Sequence, residues 1–485
     1  MFKKTFTRRI YVRRKEKEAV DMEREKRTKK VRDLTNGSPM KLILEFMLPL
    51  LLGMLFQQLY NMVDTIIVGR FLGIGALAGV GSTGSINFLV IGFVLGLCTG
   101  FAIPVAQQFG SKNRDELRKY VANTIWTAVF FAVVLTTVTC VMCSSILRLM
   151  NTPDNVFSKA YNYIFVIFLG IPATFLYNTL SGFIRSLGDS KTPLIFLVIS
   201  SVLNVILDIF MIVVLKWDVA GAAWATVISQ LVSGVLSLVY IAKKFDILHL
   251  KREDIKPVPY YIGRLCAVGV PMGLQYSITA IGTILIQTAV NSLGSTSMAA
   301  ITAGSKVSQF MCCPFDAMGS TMATYGGQNI GAGKIERVKK GLFSCSLLGV
   351  CWAVLGLGIV ALFGRVLVML FIDKNSVVSA EEIETITALG KQFLITNAAF
   401  YIPLAFVNIV RFLIQGMGFS QFALFAGVFE LVARGTVALQ AVPRFGFSGV
   451  CFANPAAWVL ADIFLIPAFF ICYNHVKRRI GNNAV

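Results

Sequence analysis

Asn204 and Asp208 stand four residues apart in LIFLVISSVLNVILDIFMIVVL (194–215), a stretch of twenty-two residues in which Asp208 is the single charge. A spacing of four puts both side chains on one face of a helix. A run of that length crosses a bilayer. A carboxylate inside it costs about 2.5–3.5 kcal/mol even on lenient insertion scales, so it faces a bundle interior, a cavity or a partner. Such an Asp is either bonded to a neighbouring helix as a structural group or handles a cation.

Depth arithmetic gives it company. The segment leaves the membrane near 215, placing Asp208 about seven residues, ~10 Å, below that end. The next apolar segment re-enters near 219, so Thr226 lies at about the same depth. The first segment ends near 69, which puts Asp64 about five residues down. Asn204 lies one turn deeper than Asp208. Two carboxylates, an amide and a hydroxyl are hard oxygen ligands, suited to Na⁺ or to a proton held between paired acids.

Charge counting separates the two halves of the chain. Away from segment ends, the first half carries Asp64 and Asp208 and no cation; the second carries Lys306, Arg411 and Arg434 against Asp316, Glu430 and Asp462. The second half can neutralise itself, partly through a structural ion pair between Glu430 and Arg434 at i,i+4. Asp64 and Asp208 cannot, and need a bound cation, a proton or a cationic substrate.

The elements that must position these residues are transmembrane helices. Of 485 residues, 56% are hydrophobic and only 14% charged, well below the ~25% of soluble domains. Apolar segments fall near 42–69, 79–107, 120–147, 158–184, 192–215 and 220–242, and six more near 265–292, 297–330, 341–371, 386–415, 420–442 and 447–474. The sequence therefore predicts an all-α polytopic membrane protein with twelve transmembrane helices. The expected boundaries are a basic tail (1–40), an N-lobe (41–242), a polar linker (243–264), a C-lobe (265–476) and a C-terminal tail (477–485). Lys and Arg favour one set of connections by nineteen to eight, the first tail left aside. The positive-inside rule then puts both termini in the cytoplasm of an integral cell-membrane protein. No cleavable signal peptide is expected, because a highly charged stretch of almost forty residues precedes the first apolar run.

The halves repeat. QQFGSKNRDELRKY (107–120) matches QNIGAGKIERVKKG (328–341), with Gly110 over Gly331, and GAAWAT (221–226) matches GVCFAN (449–454). Two six-helix repeats of one orientation are related by an axis along the membrane normal, forming two pseudo-symmetric lobes around a central cleft. That arrangement predicts alternating access by a monomer.

Other signals are discounted. Net charge is +20, of which residues 1–38 supply +8; anionic membrane lipid is the expected partner of that tail, not nucleic acid. Gly79-Val-Gly81-Ser-Thr-Gly84 matches a dinucleotide fingerprint, but it lies in an apolar helix without a preceding strand and reads as small residues for close packing. Cys140-x-x-Cys143 lacks the βαβ context of a redox motif. With no phosphate-binding loop and two His in the chain, His249 and His475, neither an ATP motor, an enzyme, a cofactor site nor a His-based metal site is expected.

PLLLGMLFQQLYNMVDTIIVGRFLGIGALAGVG, RSLGDSKTP, NVILD and the repeated QxxG-basic loops resemble the MATE multidrug and toxin extrusion family of the MOP superfamily, over roughly 40–475. The resemblance implies a V-shaped pair of six-helix lobes that export small organic cations in exchange for Na⁺ or H⁺. In the archaeal and DinF-like branch the N-lobe cation site matches Asp64, Asn204, Asp208 and Thr226, the four chosen by depth. Gln57 and Asn178 match polar positions of that lobe's substrate cavity. The NorM branch carries an acidic residue in its seventh helix, whereas no Asp or Glu occurs here between Asp254 and Asp316; Gln275 and Gln287 stand there instead, as packing groups. Aromatic and Met-rich walls are expected for flat cationic substrates. The alternative within the superfamily is a flippase for a lipid-linked substrate, which calls for a basic cavity. A channel or receptor leaves the repeat unexplained.

Overall fold

The computed structural model describes residues 33–372 and 379–482. Most of the basic tail (1–40), with the lipid contact expected of it, and the last residues of the C-terminal tail (477–485) lie outside the described residues.

Among the described residues every regular element is helical. The first half holds α1 (Pro39–Leu72), α2 (Ile74–Ser82), α3 (Gly84–Gly110), α4 (Arg114–Leu149), α5 (Asp154–Leu169), α6 (Ile171–Ser186), α7 (Lys191–Ile209) and α8 (Asp218–Lys244). The second holds α9 (Pro259–Asn291), α10 (Ser295–Gly331), α11 (Ile335–Met369), α12 (Ala380–Ala399), α13 (Tyr401–Gly416), α14 (Ser420–Thr436), the short α15 (Val442–Phe445) and α16 (Phe447–Cys451), and α17 (Ala453–Asn482). Among the described residues nine helical spans are long and apolar enough to cross a membrane, and eleven if two bent pairs are each taken as one. α10 is not among them, although its 37 residues would reach ~55 Å; Lys306 and Asp316 lie within it.

The breaks were not visible in the hydropathy. α5 and α6 meet at Gly170 with a bend of 45°, and α12 and α13 meet at Phe400 with a bend of 53°. Pro172 and Pro403 follow these joints and explain them, since a proline early in a helix cannot donate to the turn before it. The segment near 79–107 likewise divides at Thr83. Of the three glycines there, Gly79 packs against Lys159 and Ala160 of α5, whereas Gly81 and Gly84 meet nothing.

The irregularities recur in register. α7 continues into one π-helical turn at Phe210–Val214, and α14 into another at Val437–Ala441. Gly73 and Gly294 both take positive φ at corresponding helix junctions. Local backbone exceptions thus follow the sequence repeat.

Buried apolar side chains gather into two large clusters. One runs from Ile67 to Leu265. The other runs from Val290 to Val476 and adds Leu34, Ile43, Phe46, Met47 and Leu50. α1 therefore begins in the core of the second half and ends in the core of the first. The halves also meet where α3 crosses α9: a Cβ on Gly100 would lie 2.4 Å from Gly269 Cα, so only hydrogen fits there. The linker is anchored to the first half. Arg118 of α4 holds Asp254 at 3.0 Å, and Asn123 accepts from the Val258 N–H at 2.8 Å.

Candidate functional site

Asp64 stands near the end of α1 and Asp208 near the end of α7, and the packing of these two helices sets their carboxyl groups side by side, close enough to share a proton. The Oδ1 atoms of both are buried without a hydrogen-bond partner. Among the described residues no Lys or Arg pairs with either. Asn204, one turn before Asp208, is buried with it. With its amide turned to suit its neighbours, Asn204 donates to Asp208 Oδ2 at 3.0 Å and accepts from the Thr226 N–H at 3.1 Å. The Thr226 hydroxyl donates to the Ala222 carbonyl at 3.1 Å and meets the Tyr60 hydroxyl at 3.2 Å. The structure thus brings Asp64, Asn204, Asp208 and Thr226 into one cluster. No group of three His, Cys, Asp or Glu residues suited to a multivalent metal occurs among the described residues.

Two tyrosines join the cluster. Tyr60 precedes Asp64 by four residues on the same face of α1, and Tyr163 of α5 is buried within electrostatic reach of both carboxyls. The i,i+4 spacing could have flagged Tyr60. Nothing in the sequence marks Tyr163, because the bend at Gly170 sets its position.

A cavity of about 270 Å³ lies against this cluster. Tyr60, Asn204 and Thr226 belong to its wall, whereas Asp64 and Asp208 sit behind it. Gln57 and Asn178 line it too, and Asn178 donates to the Thr174 carbonyl at 2.9 Å. The far wall comes from the second half, through Tyr276, Ser320 and Thr324. The lining is more polar than expected, with three tyrosines, hydroxyls and amides, and Met54 the one methionine. It also includes Arg185, which the sequence places among the loop cations. The structure puts Arg185 in the last turn of α6.

The second half distributes its charge differently from a set of self-neutralising pairs. Glu430 binds Arg434 at 3.3 Å and also Arg411 of α13. That leaves Asp316, Asp462 and Lys306 without an ion pair among the described residues, and Asp462 Oδ1 is buried unpartnered. Gln275 accepts from Gln415 at 2.6 Å across α9 and α13, whereas among the described residues Gln287 bonds only to Asn291 on its own helix.

The chain is similar to known proteins in sequence and in fold. The family model MatE matches the chain twice, at residues 49–210 and 271–438. The two matches begin at Pro49 and Pro271, each inside a long helix. "Probable multidrug resistance protein YoeA" of Bacillus subtilis (strain 168) is 32% identical over 302 residues, 61% of this chain and 65% of its own length. "Probable multidrug resistance protein YpnP" of the same organism is 29% identical over 390 residues, 79% of this chain and 83% of its own. Among solved structures, an outward-facing multidrug resistance MATE family transporter of the MOP superfamily superposes with a TM-score of 0.84 at 21% identity, covering 93% of this chain and 99% of that one.

Proposed function

The chain belongs to the MatE family of multidrug transporters, and from that premise we propose that it is a secondary antiporter of the cell membrane, exporting amphipathic organic cations in exchange for Na⁺ or H⁺. Its twelve spans form two six-helix lobes, 41–242 and 265–476, joined by the linker 243–264, with both termini cytoplasmic. The observation that carries the reading is the pair Asp64–Asp208: two buried carboxyls side by side, each with a free oxygen and no cationic partner. Such a pair needs a positive charge to be stable, and a coupling ion supplies it. Asn204 and Thr226 complete the shell.

Coupling follows from differential affinity. The ion favours the arrangement of α1, α7 and α8 that closes around it, and its release favours another; a ligand can shift an equilibrium only by the difference in its affinity for the two states. Tyr60 and Thr226 carry that difference to the cavity, since they are bonded to each other in its wall.

The superfamily alternative, a flippase for a lipid-linked amphipathic substrate, draws support from Arg185. One guanidinium is a weak counterpart for a pyrophosphate, and the carboxylate pair behind the wall opposes it, so antiport is the better reading. Efflux of a fluorescent organic cation from proteoliposomes, with Na⁺ and pH gradients imposed separately, tests it. Antiport predicts efflux driven by at least one gradient. Equal rates with and without both gradients overturn it.

A further inference from the structure

The residues just ahead of α1 lie in a site on the second half. Leu34 and Thr35 are buried, Leu34 completely, and Leu34 belongs to the apolar core of that half. Asp33 shapes the segment, accepting from the Thr35 N–H at 2.8 Å and from the Asn36 amide at 2.7 Å. The receiving surface is the corner between α10 and α11. Gln328 accepts from the Leu34 N–H at 3.0 Å, and Asn329 donates to the Leu34 carbonyl at 3.3 Å. Lys334 donates to the Thr35 carbonyl at 3.0 Å and to the Asn36 side-chain oxygen at 2.8 Å. Arg337 donates to the Gly37 and Leu34 carbonyls at 2.9 and 3.4 Å. Bonds from a charged donor are the stronger kind, and here two cations grip neutral oxygens of one short segment.

The other half has the same arrangement with different chemistry. The segment ahead of α9 lies on the corner between α3 and α4, where Asp254 meets Arg118, and the Tyr261 hydroxyl donates to Glu116 at 2.9 Å. In the repeat alignment Glu116 stands where Arg337 does, and Asn113 where Lys334 does. Asn113 is taken by its own helix, accepting from the Glu116 N–H at 3.1 Å. The grip on backbone carbonyls is thus particular to the second-half corner. It also crosses between the halves, because the strap it holds leads straight into α1. Gln328 carries the link further: with its oxygen on Leu34, its nitrogen donates to the Ser186 carbonyl of α6 at 2.8 Å. One buried amide therefore joins strap, corner and first half.

We propose that the α10–α11 corner is a docking surface whose partner is the chain's own residues 33–37, and that this strap is a releasable latch. Docked, it holds the end bearing the basic loops shut; it leaves its surface when that end opens. The inference goes beyond antiport and rests on the alternating access that antiport requires. Permanent anchorage is opposed by the length of chain. Ser38 is the one residue between Gly37 and the start of α1, which gives about 7 Å of reach. A strap so short cannot stay docked on the second half once α1 moves away with the first.

Gly37 offers a variant that acts on the strap alone. Its φ of +103° favours glycine, while the space around it is open, the nearest atom to an added Cβ being Leu42 Cδ1 at 3.8 Å. Gly37→Val therefore disturbs the strap without overpacking a core. Spin labels at Arg114 and Lys340, one in each half, read the opening of this end in the purified full chain in detergent, without any gradient. Gly37→Val and Arg337→Gln should each raise the population of the longer separation roughly ten-fold over the unmodified protein. A fluorescent peptide of residues 33–40 should bind Gly37→Val protein and not Arg337→Gln protein. An unchanged label separation in Gly37→Val overturns the proposal, whether or not Arg337→Gln folds. So does a folded Arg337→Gln protein that stays shut, or a peptide that does not distinguish the two variants. Gradient-independent efflux with the latch response intact would instead overturn antiport and leave the latch standing.

Discussion

Gly110 of α3 and Gly331 of α10 are each pressed against the backbone of the other's helix: a Cβ on Gly110 would lie 2.0 Å from the Gln328 carbonyl oxygen, and one on Gly331 would lie 1.8 Å from that of Gln107. These are the glycines that the internal repeat aligns, and their contact closes the molecule at the end bearing the basic loops. Gln107 adds a bond to the Gly416 carbonyl at 2.9 Å, and Gln328 one to the Ser186 carbonyl at 2.8 Å.

Gly331→Val should force the two helix ends apart. Spin labels at Lys112 and Lys334 should move further from each other than in the unmodified protein, and gradient-driven efflux should fall. An unchanged label separation would show that the contact does not hold this end shut.

Asp64→Asn and Asp208→Asn should each abolish gradient-driven efflux in a protein that still folds, because Asn keeps the shape and removes the charge. Thr226→Ala removes one neutral ligand and should weaken coupling by a smaller amount, on the order of 1 kcal/mol. Proteoliposome efflux with folded yield checked by size-exclusion chromatography decides it. Wild-type rates in both Asn variants would make the cluster structural.

Acidity should act on Na⁺ in one direction. Na⁺ needs ionised carboxyls, so lowering the pH protonates the pair and weakens Na⁺ binding; raising it restores binding. Na⁺ titrations of purified protein should show an apparent affinity that falls with acid in wild type. Affinity independent of pH would place the Na⁺ elsewhere.

Glu430→Gln should lower thermal stability while leaving coupling intact, since it deprives both Arg411 and Arg434 of their anion. Breaking a buried pair costs about 3–5 kcal/mol. Normal stability with lost coupling would move the ion site to the second half.

Orientation is open to a labelling test. A cysteine replacing Asp154 should react with impermeant maleimide from outside whole cells, and one replacing Lys251 should not. The reverse pattern would invert the topology.

The sequence made the cluster legible because a helix rises by a fixed amount per residue. Counting down from the segment ends therefore put Asp64, Asn204, Asp208 and Thr226 in one layer, and their contacts needed no knowledge of bends. Tyr163 escaped because its position depends on the joint between α5 and α6. Arg185 was misplaced for a related reason: charge near a segment end was assigned to a loop, whereas α6 runs on through Ser186 and keeps it inside. The bends and π turns follow from proline and local backbone strain, to which hydropathy is blind. The Glu430–Arg434 contact was legible from its i,i+4 spacing, whereas composition counts charges and cannot say that Glu430 takes Arg411 as well.

Tyr60, Asn204 and Thr226 belong to the carboxylate cluster on one side and line the cavity on the other. A partition one side chain thick cannot be altered for one compartment alone. Selection for a new drug spectrum would find substitutions there penalised by uncoupling, whereas Tyr276, Ser320 and Thr324 on the opposite wall carry no such double duty. Resistance-broadening changes should therefore accumulate on α9 and α10, leaving α7 and α8 almost untouched while the range of exported compounds drifts.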